Sequence, residues 1–109
     1  METRDNEQSD LQFLAGIDRL IHEPARLMIT AYLYVIESAD FLFLEKQTGL
    51  TRGNLSSHLS KLEEGGYVEI EKKFVEKIPR TLIRLSEQGR RALNDYRNKM
   101  KKILDELPC

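Results

Sequence analysis

The sequence predicts an α+β fold that is mostly helical, and three observations carry that expectation. Leu55, Leu59 and Leu62 recur at helical spacing behind a Gly-Leu-Thr turn. The segment Tyr67-Val68-Glu69-Ile70-Glu71 then alternates apolar with polar, and Leu82-Ile83-Arg84-Leu85 offers a second short strand, so a β-hairpin follows the helix. From Ser86 to Leu107 the chain is rich in strong helix formers. At 109 residues with 40% hydrophobic content, residues 1–109 read as one domain able to bury a modest core.

The elements follow in order. Residues 1–8 are polar enough to fray. Ser9 and Gln12 stand at capping-box spacing, and Leu11, Leu14, Ile17 or Asp18, and Ile21 continue as a helical stripe, which predicts a first helix. Pro24 suits the first position of a second helix, where its missing N–H costs nothing. That helix, to about Ile36, is apolar on most sides and is expected at the centre of the core, with Tyr32 and Tyr34 as packing residues. Ser38-Ala39-Asp40 breaks and caps. Phe41 to Gln47 is a two-turn helix that Gly49 ends by taking positive φ, Leu50 drops into the core, and Thr51 caps the next helix until Gly65-Gly66 stops it.

Between the two strands the sequence places a loop carrying Lys72, Lys73, Lys77 and Arg80, with Pro79 at the loop or strand start because it cannot donate to a ladder. Ser86 caps a last helix over residues 86–107, in which Leu93, Tyr96, Met100, Ile103 and Leu107 step by alternating threes and fours, a heptad seam. A seam of this kind predicts a dimerisation helix, and its shortness as an isolated coiled coil brings Leu11 and Leu14 of the first helix into the same interface. Packing against residues 11–21 of its own chain is compatible with that interface. Helix, turn, helix and hairpin in this order make a winged helix-turn-helix with a two-stranded wing and room for a short third strand.

The face of the helix capped by Thr51 that lies opposite the leucines holds Gly53, Asn54, Ser57, Ser60, Lys61 and Glu64, with Thr51 and Arg52 at its first turn, Ser56 beside them and His58 at the flank. Small polar side chains permit close approach to a surface, as a helix entering the ~12 Å major groove of DNA requires; Arg suits guanine and Asn suits adenine by bidentate hydrogen bonds. An ordinary solvated helix face has a similar composition. The basic hairpin after it, with Lys72, Lys73, Lys77, Arg80 and Thr81, favours the nucleic-acid reading, since such a tip reaches a phosphate backbone well.

The run Leu50-Thr51-Arg52-Gly53-Asn54-Leu55-Ser56-Ser57-His58-Leu59, followed by Lys61-Leu62-Glu63-Glu64-Gly65-Gly66-Tyr67-Val68, resembles the recognition helix and strand entry of MarR/ArsR-type winged-helix transcriptional regulators. Pro79-Arg80-Thr81 and Leu85-Ser86-Glu87-Gln88-Gly89-Arg90 look like that family's wing exit and final helix start, and Leu20-Ile21-His22-Glu23-Pro24-Ala25-Arg26 is similar to the opening of its second helix. The resemblance implies a homodimer on a pseudo-palindromic operator in double-stranded DNA. The helix from Thr51 would lie in the major groove and the wing on the backbone or minor groove. A full-length MarR regulator is longer and forms its dimer and a ligand crevice with extra terminal helices. ArsR sensors carry a cysteine-containing metal motif before the recognition helix, and Phe41 to Gln47 has neither Cys nor His.

Charge is segregated along the chain. The formal net charge is -1, but residues 1–40 hold eight acids and three bases whereas residues 41–109 hold ten acids and fourteen bases. From Lys72 to Lys102 there are eleven bases against three acids, so a positive surface can exist on a nearly neutral protein.

Enzymatic chemistry is not expected. His22 and His58 lie on different segments with no Cys or paired carboxylate at ligand spacing, so no metal, cofactor or nucleophile-base pair is indicated. His58 is read as a phosphate contact or a packing residue. Cys109 is the single cysteine, which excludes an intramolecular disulfide and suits a reducing cytoplasm. No run reaches the ~20 apolar residues that span a bilayer, so no membrane partner is expected. Two further readings stand beside DNA binding: a winged helix whose polar face binds another protein, and a small-molecule effector crevice lined by Met28, Tyr32, Tyr34 and Met100.

Overall fold

The computed structural model describes residues 11–108. A 3₁₀ turn at Phe13–Gly16 leads into helix α1 (Pro24–Val35), strand β1 (Ala39–Asp40), helices α2 (Phe41–Thr48) and α3 (Arg52–Glu64), strands β2 (Val68–Val75) and β3 (Ile78–Leu85), and helix α4 (Glu87–Asp105). Among the described residues the fold is therefore four α-helices and one antiparallel sheet of three strands, ordered β1-β3-β2. It is a winged helix.

Each helix start is set by a side chain that satisfies an orphan N–H of the first turn. Glu23 Oε1 accepts from Arg26 N at 2.7 Å, Asp40 Oδ1 from Phe43 N at 2.7 Å, Thr51 Oγ1 from Asn54 N at 3.2 Å, and Ser86 Oγ from Gly89 N at 3.0 Å. Gly49 closes α2 at φ 73°, and its N–H donates to the Glu45 carbonyl at 3.1 Å. That left-handed residue costs nothing without a Cβ and reverses the chain into α3.

The core sits where α1, α2 and α3 meet the sheet. Ile29 and Leu33 of α1, Leu44 of α2, and Leu55, Leu59 and Leu62 of α3 are buried against Val68, Ile83 and Leu85. Thr30 is buried beside them, and its hydroxyl donates back to the Arg26 carbonyl at 2.9 Å. The α3 leucines are the helical stripe expected from their spacing.

Three expectations need correction. The predicted first helix does not run to Ile21: after the 3₁₀ turn Ile17 is extended (ψ 146°), and Asp18 Oδ1 accepts from Leu20 N at 2.9 Å and Ile21 N at 3.1 Å. A short acidic side chain bonded to its own backbone offers an alternative to helix, and here it wins. The wing has no long basic loop. Lys72 and Lys73 belong to β2, Arg80 to β3, and the turn is only Glu76-Lys77, both at positive φ (55° and 67°). Such a two-residue turn matches the twist of the strands even though neither residue is Gly or Asn. The last helix stops at Asp105 rather than Leu107. Ser9, the segment 1–8 expected to fray, and Cys109 lie outside the described residues.

Pro79 pairs with Phe74, one step from the turn-closing pair Val75–Ile78. Antiparallel bonds alternate sides, so the Pro79 nitrogen faces away from β2, where β1 does not extend, and no ladder bond is lost.

Candidate nucleic-acid interface

Helix α3 is rooted on one side and open on the other. With its leucines in the core, Arg52, Gly53, Asn54, Ser56, Ser57, Ser60, Lys61, Glu63 and Glu64 are all exposed. Thr51 is exposed too, although its hydroxyl oxygen already serves as the helix cap. Arg52 is 71% exposed, with a loose 3.9 Å ion pair to Glu45 and its guanidinium 5.8 Å from the centre of the Phe41 ring. A Cβ built on Gly53 would meet nothing within 4 Å, so no contact inside the chain accounts for a glycine there.

His58 departs from this face. Its ring is half-buried toward the start of α1, with Nδ1 3.1 Å from Arg26 Nη1 and 3.9 Å from Glu23 Oε1. Arg26 also donates from Nε to the Leu20 carbonyl at 2.6 Å.

Beside α3 stands the wing. Because the register pairs Lys72 with Thr81, Lys73 with Arg80 and Phe74 with Pro79, Lys72 lies on the face that continues the core and Lys73 on the opposite face. Lys61, Lys72, Lys73 and Lys77 are exposed and make no ion pair among the described residues. Arg80 is different, since its Nη1 is 3.0 Å from Asp40 Oδ2, which ties β3 down three pairs from the turn. Asp40 thereby caps α2 with one oxygen and holds β3 with the other. A cavity of about 240 Å³ opens here, bringing Arg52 of α3 together with Arg80 and Thr81 of the wing.

Helix α4 begins against the root of the hairpin, where β2 starts and β3 ends. The Ser86 N–H donates to the Tyr67 carbonyl at 2.9 Å and its hydroxyl to the Gly66 carbonyl at 2.6 Å. Gly89 packs so closely on Tyr67 that a Cβ would lie 2.2 Å from the Tyr67 oxygen. Tyr67 in turn donates its hydroxyl to Asp18; burial, then that hydrogen bond and the adjacent negative charge, push its pKa up to about 12.

The seam residues of α4 are not equivalent. Tyr96 is buried within its own chain, where burial raises its pKa and its hydroxyl lies 2.8 Å from His22 Nδ1. Leu93, Met100 and Ile103 are half-buried, while Leu107 beyond the helix end is exposed, as is Leu11; Leu14 is half-buried. Lys102 Nζ sits 5.1 Å from the centre of the Phe13 ring, so the end of α4 does fold back on the first turn of its own chain. Between α1 and α4 runs an apolar groove of about 720 Å³ that includes Leu27, Tyr34, Leu93 and Met100. Met28 and Tyr32 line a separate groove, so the four residues expected to share one crevice are divided between two.

Sequence reasoning missed Asp40 as the partner of Arg80 and missed the apolar end of the wing, where Phe74, Val75 and Ile78 are 74%, 42% and 51% exposed. The signal for the second was legible as Phe74-Val75 set among lysines. Among the described residues no cluster of His, Cys, Asp and Glu could hold a metal ion, and no helix is long and apolar enough to cross a membrane.

Comparison with known proteins places this geometry. An uncharacterized protein of Methanocaldococcus jannaschii is 33% identical over 91 residues, covering 84% of this chain and 99% of that protein. The solved structure of a transcriptional regulator homologue from Pyrococcus horikoshii OT3 superposes with a TM-score of 0.84 at 28% identity, covering 93% of this chain and 99% of that one. A MarR-family transcriptional regulator from Silicibacter pomeroyi shares the fold at 16% identity, with a TM-score of 0.62 over 95% of this chain and 69% of its own. The family described as winged helix DNA-binding domain matches residues 25–104, from the core of α1 to the end of α4, and the chain belongs to it.

Proposed function

We propose that the protein is a sequence-specific transcriptional regulator that binds double-stranded DNA as a homodimer. The observation that carries the reading is the two-sidedness of α3: an apolar root fully inside the core and an uninterrupted exposed polar face beside a basic hairpin. Arg52, Asn54, Ser57 and Lys61 face the bases of the major groove, where Arg52 and Asn54 supply the selection, with Thr51 and Ser56 on the flanking backbone. Lys72, Lys73 and Lys77 supply salt-dependent affinity from the wing, and Arg80 and Thr81 contribute from the facing strand.

What α4 leaves uncovered supports the homodimer. Leu104, which lines the α1–α4 groove, and Leu107 just beyond the helix end are each 58% exposed, and a second copy of the same helix would cover them. Two-fold symmetry would set two α3 helices about one duplex turn, ~34 Å, apart on a pseudo-palindrome. The same groove is large and apolar enough to take a small-molecule effector that alters this spacing.

Selection of bound duplexes from a random-sequence library tests the reading. An inverted repeat bound tightly, with affinity falling steeply as salt rises, is the expected result. On that operator Arg52→Ala should cost about 1–3 kcal/mol and relax preference at one position, whereas Lys73→Ala should weaken all sequences alike and lower the salt slope by about one. No enrichment, with light scattering still reporting a dimer, would replace this reading with a protein-interaction module.

A further inference from the structure

We propose that the tip of the wing is an apolar wedge that enters the minor groove of duplex DNA beside each half-site and unstacks a base step there. The proposal rests on the DNA-binding reading above. Phe74, Val75 and Ile78 are 74%, 42% and 51% exposed, and Pro79 is exposed opposite Phe74. Strand side chains alternate, so Phe74 and Pro79 share one face and Val75 and Ile78 the other. The last two residue pairs before the turn are thus apolar on both faces, where solvated hairpins ordinarily carry charge. A contiguous apolar end on a surface otherwise full of charge marks a contact site.

The lysines indicate what it contacts. Lys72 stands one pair behind the tip on the Phe74 face and Lys73 one pair behind on the Val75 face, and neither has an ion-pair partner among the described residues. Cations directly behind an apolar end repel the same end of a second copy. They suit a ligand with anionic rails and a less polar interior, which describes a DNA groove with its phosphates, sugar walls and base edges. Glu76 beside Lys77 leaves the turn itself neutral, so the sign of the hairpin is set by the lysines behind it.

Size decides the manner of entry. The positive φ of Glu76 and Lys77 makes the end as narrow as a hairpin allows, with strands about 4.8 Å apart before side chains are counted. A minor groove about 6 Å wide admits such a tip only if it opens, and inserted Phe, Ile or Pro side chains open it by partly unstacking a step. The tip has no arginine with which to read the base-edge acceptors. Its selectivity is therefore for deformable steps such as TA or CA, at positions that α3 does not touch.

The test uses the full chain and its selected operator, with 2-aminopurine replacing adenine at steps flanking each half-site and fluorophores at the duplex ends. Wild-type binding should raise 2-aminopurine fluorescence and shorten the end-to-end distance. The Phe74→Ser, Ile78→Ser double variant changes only exposed residues, so its circular dichroism should match the wild type. It should bind about tenfold more weakly with an unchanged salt slope and no fluorescence rise. Lys77→Gln should do the reverse, lowering the slope while keeping the rise. Wild-type operator binding with no fluorescence rise, or a double variant with wild-type affinity, would overturn the wedge and leave the DNA-binding reading standing. A wild-type chain that binds no duplex would overturn both. A double variant that loses oligomer mass in light scattering would assign the tip to a second copy instead.

Discussion

Helix α3 and the wing are neighbours in sequence and lie side by side at the proposed interface, yet they are held in opposite ways. Helix α3 buries three leucines along its whole length, so its polar face is fixed by the core behind it. The wing is anchored at its root by Val68, Ile83 and Leu85, with the Arg80–Asp40 ion pair as a further tie; from Glu71 to Pro79 every residue is exposed. Selection among bases needs side chains held to within a fraction of an ångström, which a rooted helix provides. Holding a phosphate backbone and deforming a groove tolerate, and benefit from, an arm that can adjust.

Leu59→Ala should break the rooted element most severely. Removing a side chain that is 2% exposed beneath α3 should cost about 2–5 kcal/mol in urea unfolding, whereas Phe74→Ala in the wing should stay within about 0.5 kcal/mol. Equal losses would mean the wing is packed against something in the free protein. Gly89→Ala attacks the wing's anchor. Its Cβ would press on Tyr67 backbone, which cannot swing away as a side chain can, and about 1–3 kcal/mol of stability should be lost.

Two smaller changes sharpen the contrast. Replacing Glu76-Lys77 by Asn-Gly puts residues that favour positive φ at the turn and should add about 0.5–1 kcal/mol, read as a higher Tm, while the loss of Lys77 lowers the salt slope of operator binding. Gly53→Ala, in open space on α3, should stabilise the free protein by about 0.5 kcal/mol while weakening operator binding, because the added methyl group meets DNA and nothing else. A variant that gained stability and kept full affinity would show that α3 does not approach the duplex at that turn.

The same contrast explains what could be read from the sequence. Gly49, Thr51 and the three leucines of α3 were legible because each expresses local chemistry: a left-handed cap, an oxygen at an orphan N–H, a period of 3.6. The wing's length was not, since Lys72 and Lys73 carry no strand signal and Glu76-Lys77 lacks the Asn or Gly that announces a tight turn. The overlong first helix shows the converse: Leu11, Leu14 and Ile21 have helical spacing, but Asp18 spends its carboxylate on the backbone and on Tyr67 and the helix does not reach Ile21. Long-range pairs such as Asp40 with Arg80, and His58 with Arg26, join residues 40 and 32 positions apart and leave no trace in a linear pattern.

The stitching of Ser86 and Gly89 to the carbonyls of Gly66 and Tyr67 makes α4 and the hairpin share one hinge plate in a molecule 67 Å long and 25 Å across. Eight residues of strand carry the turn about 26 Å from that plate, so a tilt of about 5° at the plate displaces the far end by about 2 Å. Whatever seats or shifts α4 is thereby geared to the hairpin as a crank is to its handle, with small strokes at one end read out as large ones at the other.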